Sequence, residues 1–324
     1  MKLLDMYARL KKEIDYIEKE LERSVYSEHP TLKETSVHLL KAGGKRIRPV
    51  FVLLAGQFGN GDLQSLKNIA VPMELIHMAS LVHDDVIDDA NTRRGQLTVK
   101  SKWDNRIAMY TGDYIFAKAL GVVTQLPNPL IHQIMSKAIV EMTIGEMEQI
   151  RLFFNHSQTF RDYLLRIKRK TALLIAISCQ LGAIAAEAPQ SVSRQLYRFG
   201  YFAGMAFQIR DDLLDISGTE AAIGKPPGSD VRQGNITLPV LSALRQPELR
   251  QPIIEELHRI QAVDGQTDVT RFIELVLSST GIACAEQLVE RYIDKAIASL
   301  DNLPDIQAKQ DLARIARFIG NRSY

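Results

Sequence analysis

Apolar positions recur at helical spacing along almost the whole chain, and the strict alternation of a half-buried strand is scarce. Leu3, Tyr7, Leu10, Ile14, Ile17 and Leu21 follow steps of four and three, which draws a narrow apolar seam on a first helix. That seam suits packing inside the chain's own bundle and contact with a second subunit equally well. Further helices are predicted over residues 31–42, 49–58, 69–89, 106–120, 129–154, 160–186 and 191–216, and they resume at Leu238. Gly43-Gly44 stops the first of these, as glycine commonly does just past a helix. Gly59-Asn60-Gly61-Asp62 turns the chain after the second, and Leu126-Pro127-Asn128-Pro129 breaks it again later. Residues 218–234, rich in Gly and Pro, are predicted to be irregular, a candidate lid or binding loop. With no composition shift or fixed-period repeat, the pattern predicts a single all-α domain over residues 1–324.

Two acidic signatures interrupt the apolar pattern. Asp84-Asp85-Val86-Ile87-Asp88 and Asp211-Asp212-Leu213-Leu214-Asp215 lie 127 positions apart, each closing an apolar helical stretch. On a helix the first and last aspartates of each copy share a face. One copy would be an ordinary acidic turn; two suggest the walls of one cleft lined with oxygen ligands. Such carboxylates suit Mg²⁺, which prefers hard oxygens and often bridges protein to substrate phosphates. A polyanionic substrate, a diphosphate above all, is the expectation.

Composition sets the background. Hydrophobic residues at 46% and charged residues at 24% are ordinary for a globular protein with a sizeable core. A net charge of +2 points neither to nucleic acid nor to a membrane surface. Cys179 and Cys284 have no metal-ligand spacing and read as buried thiols in a reducing cytoplasm. The first residues, dense in Lys and Glu, predict no signal peptide. The uncharged run 171–186, at 16 residues, falls short of the roughly 20 that a membrane span needs. A soluble protein is expected.

Cations flank the acids. Lys45, Arg46 and Arg48 follow Gly43-Gly44; Arg93-Arg94-Gly95 follows the first acidic signature; Lys168, Arg169, Lys170 and Thr171 open the central uncharged run; Lys225 lies in the Gly/Pro segment. Singly, each reads as a solvated surface charge. Together they offer separate anion sockets, with arginine forks that match phosphate oxygens.

The motifs GGKRIRP, ELIHMASLVHDDVIDDANTRRG, GDYIFAKAL, RKTALL, FQIRDDLLD and GNITLP run in order from about position 43 to 240. In them the chain resembles the trans-isoprenyl diphosphate synthases. More narrowly it is similar to the catalytic larger component of two-component heptaprenyl or hexaprenyl diphosphate synthases, which serve menaquinone side chains. The resemblance implies an isoprenoid-synthase-type bundle of long helices around a deep central cavity. It implies condensation of an allylic diphosphate, farnesyl diphosphate above all, with successive isopentenyl diphosphates. It also implies Mg²⁺, three ions per site once substrate is bound, and a small regulatory subunit (component I) in a heterodimer, or else a homodimer.

Carried over by motif, Asp84, Asp88 and Asp211 would ligate the metal, with Asp85, Asp212 and Asp215 holding metal-bound water. Arg93, Lys170, Thr171, Gln208 and Lys225 would hold the allylic diphosphate. Lys45, Arg48, His77 and Arg94 would hold isopentenyl diphosphate without metal. His77 is seven residues before Asp84, two turns back on the same face; without the resemblance it reads as a buried structural histidine. Ser80, Ala79 and Ile76 stand four, five and eight residues before Asp84, down the helix from the metal. Family members with short products typically carry an aromatic at the fourth or fifth place. Both residues are small here, which predicts a product longer than geranylgeranyl, although small residues also simply permit close helix packing.

Two positions depart from the family pattern. Gln96-Leu97 replaces a basic residue and proline after RRG, and Asn235 stands where many relatives have lysine, so Asn235 carries no assumed phosphate contact. A hexaprenyl or octaprenyl product is the nearest alternative. A terpene cyclase would mix Asn, Ser or Thr with Glu in its second motif and would lack GGKRIRP. A non-catalytic subunit would have lost aspartates, and all six are present.

Overall fold

A computed structural model describes residues 3–219, 226–262 and 268–322. Its helices are α1 (Leu3–Arg9), α2 (Lys11–Ser24), α3 (Pro30–Lys41), α4 (Ile47–Gly56), α5 (Leu63–Ile87), α6 (Val99–Lys102), α7 (Asn105–Val123), α8 (Pro129–Arg151), α9 (Phe160–Ile167), α10 (Leu173–Ala185) and α11 (Gln190–Ser217). They continue as α12 (Ser229–Arg232), α13 (Leu238–Ala243), α14 (Pro247–Ala262), α15 (Thr270–Leu277), α16 (Gly281–Ala298) and α17 (Gln307–Gly320). Among the described residues the strands are two short ones, β1 (Thr92–Arg93) and β2 (Gln96–Leu97), paired antiparallel. The all-α expectation is met.

The chain groups into two compact units. The first comprises Met1–Lys137, Leu174–Arg198 and Asn302–Arg314; the second comprises Ala138–Leu173, Phe199–Asp301 and Ile315–Tyr324. In the first, α5 packs along α7, α4 and α2. Val50, Phe51, Val52, Leu54 and Ala55 on α4 are fully buried, each large side chain contributing roughly 1.5–3 kcal/mol through burial. Gly182 passes α4 so closely that a Cβ there would stand 2.5 Å from the Val52 carbonyl oxygen. In the second unit, Phe199, Ala203, Met205, Ala206 and Ile209 form the buried face of α11, while α13 packs on α16.

The amino-terminal seam turns inward. Leu10, Ile17 and Leu21 are buried, Tyr7 and Ile14 are partly covered, and Met6 and Val25 extend the stripe. The helix is interrupted at Leu10, though Leu10 N and Ile14 N keep their bonds to Met6 O and Leu10 O. Contacts of α2 with α5 use the seam for internal packing.

Other elements differ from expectation for local reasons. Helix α5 starts at Leu63, not 69, because the Asp62 side chain caps it by accepting from Ser65 N at 2.7 Å. Buried Pro72 sits inside that helix. The helix expected over 160–186 contains a π-helical turn at Lys168–Ala172. The RRG motif is a hairpin: Arg94 (φ 53°) and Gly95 (φ 75°) are both left-handed between the paired residues Arg93 and Gln96. The Gly/Pro segment includes α12, while Lys225 lies outside the described residues. Cys179 is buried as expected, but Cys284 is exposed on α16, because its position faces away from the stripe formed by Ala285, Val289, Ile293 and Ala296.

Candidate active site

The first aspartate signature closes α5. Asp88 is the helix C-cap and donates its backbone N–H to Asp84 O at 2.8 Å; both side chains are half-buried. Asp85 is buried, and its Oδ1 accepts from Arg93 Nε and Nη2, each at 2.7 Å. Burial raises the Asp85 pKa against the pull of the Arg93 charge. Arg93, expected on the allylic diphosphate, is thus already anchored by a carboxylate.

The hairpin turns Arg94 towards the loop before α4. Arg94 Nη1 donates to Gly43 O, and a Cβ on Gly44 would fall 2.5 Å from that nitrogen. Gly43 (φ 72°) is left-handed too, so the glycine pair serves the approach as well as the helix stop. Lys45 is exposed, its carbonyl accepting from Tyr7 Oη at 3.1 Å. Arg48 is buried, with no acceptor for its Nε among the described residues. Burial, reinforced by the Arg94 charge and opposed by Glu74, brings Arg48 down to about 10. His77 stands in the field of Arg48, Arg94, Arg93 and Arg46; desolvation first and these cations second keep it well below its ordinary pKa and neutral. The structure therefore brings Arg48, His77 and Arg94 together. Arg46 is spent elsewhere, pairing with Glu18 at 2.5 Å and Glu74 at 3.2 Å from a left-handed backbone. Glu74, 3% exposed, balances this cationic cluster and was missed in the sequence. Its signal was a lone acid in an apolar stretch.

Of the residues expected to set chain length, Ile76 and Ala79 are buried, whereas Ser80 is partly exposed and donates its hydroxyl to His77 O at 2.8 Å.

The second signature closes α11 in the second unit. Asp212 is buried and accepts from Tyr163 Oη and Gln208 Nε2, both at 2.7 Å. Its pKa is raised by burial first and then by the Asp230 charge, against the two donors. Gln208 Oε1 in turn accepts from the Thr171 hydroxyl at 2.6 Å. Asp215, also buried, accepts from Asp230 N at 3.1 Å through Oδ2. Asp211, the most open of the three, holds Arg322 Nη1 at 2.6 Å.

The π turn supports Thr171 and Lys170. A π turn packs one extra residue into a helix and often marks a functional site. Here Lys170 Nζ meets Glu146 Oε2 at 2.9 Å and Arg169 Nε meets Glu141 Oε2 at 3.0 Å. Two glycines let neighbouring helices in: a Cβ on Gly145 would lie 2.6 Å from Arg169 Cβ, and one on Gly204 would lie 2.6 Å from Ala172 Cα. Tyr163, Asp230, Glu146 and Arg322 were not singled out in the sequence, because no local pattern distinguishes them from surface or core residues.

Each aspartate motif, taken by itself, offers hard-oxygen donors of the kind Mg²⁺ prefers. Among the described residues no three His, Cys, Asp or Glu side chains meet as a closed cage. Asp84, Asp88 and Asp211 are partly exposed carboxylates, and Asp211 already holds a cation. Partly exposed carboxylates suit Mg²⁺, which keeps waters and takes one or two carboxylates plus substrate phosphates.

The sequence pattern of the polyprenyl synthetase family matches residues 29–276. Across 327 aligned residues, covering 100% of both chains, the sequence is 52% identical to heptaprenyl diphosphate synthase component 2 of Geobacillus stearothermophilus. The crystal structure of heptaprenyl diphosphate synthase from Staphylococcus aureus superposes with a TM-score of 0.88 at 39% identity, over 97% of this chain and 98% of that one. The polyprenyl synthase of Caulobacter crescentus, crystallised with calcium and isoprenyl diphosphate, gives a TM-score of 0.93 at 28% identity, over 99% and 98%.

Proposed function

The chain belongs to the polyprenyl synthetase family, and from that premise we propose that this prenyltransferase makes heptaprenyl diphosphate. Its substrates are an allylic diphosphate, farnesyl diphosphate by preference, and successive isopentenyl diphosphates. The observation that carries the product assignment is the 52% identity over the whole of both chains with a heptaprenyl synthase component 2.

The allylic carbon–oxygen bond breaks with its electron pair on the departing diphosphate. The isopentenyl double bond attacks the resulting allylic cation, and a proton then passes to the departed diphosphate, which restores an alkene. Mg²⁺, when bound through Asp84, Asp88 and Asp211, supplies positive charge on the leaving group. Three ions per site accord with a site completed by substrate oxygens. Lys170, Thr171, Gln208, Arg93 and Lys225 hold the allylic diphosphate. The Thr171–Gln208–Asp212 chain supports this role, because it holds the Thr171 and Gln208 side chains in place before substrate arrives. Lys45, Arg48, Arg94 and neutral His77 receive isopentenyl diphosphate; the buried Arg48 Nε, which has no acceptor among the described residues, supports an anion there. Asp85, Asp212 and Asp215 orient metal-bound water. Ile76, Ala79 and Ser80 set the length of the growing tail, and apolar surroundings keep water from the cation.

A small partner subunit completes the enzyme. The relative's designation as component 2 supports this. So does α8, where Val140, Ile144 and Met147 are exposed at helical spacing. Among the described residues no single helix is long and apolar enough to cross a membrane, and cytoplasmic work on a menaquinone side chain is the accompanying reading.

Incubation with farnesyl diphosphate, labelled isopentenyl diphosphate and Mg²⁺, with and without a component 1 subunit, tests the proposal. The dephosphorylated product should be a seven-unit alcohol, made weakly or not at all by the chain alone. A short product, or the same rate and length without the subunit, would refute it.

A further inference from the structure

Asp211 opens the second aspartate motif, yet one of its oxygens is taken. Oδ1 accepts from Arg322 Nη1 at 2.6 Å across 111 positions of sequence. The same turn of α11 holds the arginine's segment at further points. Arg210, beside Asp211, donates to Gly320 O, where α17 ends. Asn321 N bonds to Arg317 O at 3.0 Å and continues the last helical turn. The Arg322 guanidinium lies 5.5 Å from the centre of the Phe207 ring, one turn before Asp211. Side-chain exposures of 21% for Arg322 and 34% for Asp211 leave the pair within reach of solvent and ions.

We propose that Arg322 is an exchangeable internal cation on Asp211, occupying the carboxylate oxygen that a divalent ion needs. The inference rests on reading Asp211 as a metal ligand. Divalent binding at this motif then competes with the ion pair, so Arg322 lowers the metal affinity of the second motif. It acts through Asp211 and is a gating residue. The Phe207 and Gly320 contacts hold the arginine close, so that the carboxylate is recapped when the metal leaves. A partly exposed pair is a weak barrier, which suits a contact that opens in each catalytic cycle.

Titration of the full-length protein with Mn²⁺, read by the electron paramagnetic resonance of the free ion and by the metal-dependent rise in Tm, tests this. Arg322→Ala should bind Mn²⁺ more tightly by roughly two- to fivefold and show the larger rise in Tm. Arg322→Lys should fall between it and the wild type. Binding by Arg322→Ala where the wild type shows none also supports the proposal. Equal or weaker binding by Arg322→Ala, or none by either protein, overturns it. Asp211→Asn separates the two layers: if it binds Mn²⁺ as well as the wild type, the reading of Asp211 as ligand fails and takes the gate with it.

Discussion

Tyr163 donates its phenolic hydrogen to Oδ2 of Asp212 at 2.7 Å, with both side chains buried. The bond joins α9 to α11 and leaves Asp212 with its charge shared between a phenol and the Gln208 amide. Burial and the adjacent carboxylate push the Tyr163 pKa upward, so the phenol stays a donor. Tyr163→Phe should cost about 1–3 kcal/mol, the usual loss when a buried acceptor is left short of a donor. Urea unfolding measures it; an unchanged midpoint would show that the bond contributes nothing.

Gly145 faces the π turn, where any Cβ would meet Arg169 Cβ. Gly145→Ala should push the turn away and pull Lys170 off Glu146. The expected result is a KM for the allylic diphosphate raised roughly tenfold or more, with the isopentenyl KM unmoved, since the residues proposed for it, Lys45, Arg48, His77 and Arg94, lie outside α8 and the π turn. Steady-state kinetics with each substrate varied decides the matter.

Chain length separates two neighbours on α5. Ser80 is partly exposed and Ala79 is 1% exposed. Ser80→Phe should shorten the product with little loss of stability. Ala79→Phe should shorten it too, but at about 1–3 kcal/mol of overpacking. Product chromatography with thermal denaturation distinguishes the outcomes, and full-length product from both would remove these residues from length control.

His77 predicts a pH dependence. Its folded-state pKa lies well below the unfolded value near 6.5. Between those two values the unfolded chain binds a proton that the folded chain does not. Stability contributed by neutral His77 is therefore present above about pH 6.5 and lost as pH falls below it. His77→Gln should lose less Tm than the wild type between about pH 7.5 and 5.5; parallel curves would contradict this.

Thiol chemistry tests the exposure of Cys284. Burial pushes the Cys179 pKa upward. A thiol reagent should modify Cys284 rapidly in the native protein and Cys179 only after unfolding. Mapping the labelled peptides gives the answer.

Much of this was legible in the sequence because it is local. Helical periodicity lies within a few residues, as does the spacing that places Asp84 and Asp88 on one face. The π turn was not legible: the run 160–186 has unbroken helical periodicity, and the close approach of Gly145 on α8 and Gly204 on α11 to the turn appears only in the tertiary structure. The seam of α1 and α2 was ambiguous for a related reason, since an apolar stripe is the same whether its own chain or another covers it.

Six aspartates, a helical class and cations beside both acidic motifs were set by sequence alone, because carboxylate chemistry and helix propensity belong to residues and their near neighbours. Which carboxylate each cation meets was decided by tertiary structure. Packing gives Arg46 to Glu18 and Glu74, Arg93 to Asp85 and Arg322 to Asp211. Charge is a property of the residue, but its partner is chosen by where the helices bring it, and in the last case the two lie 111 positions apart.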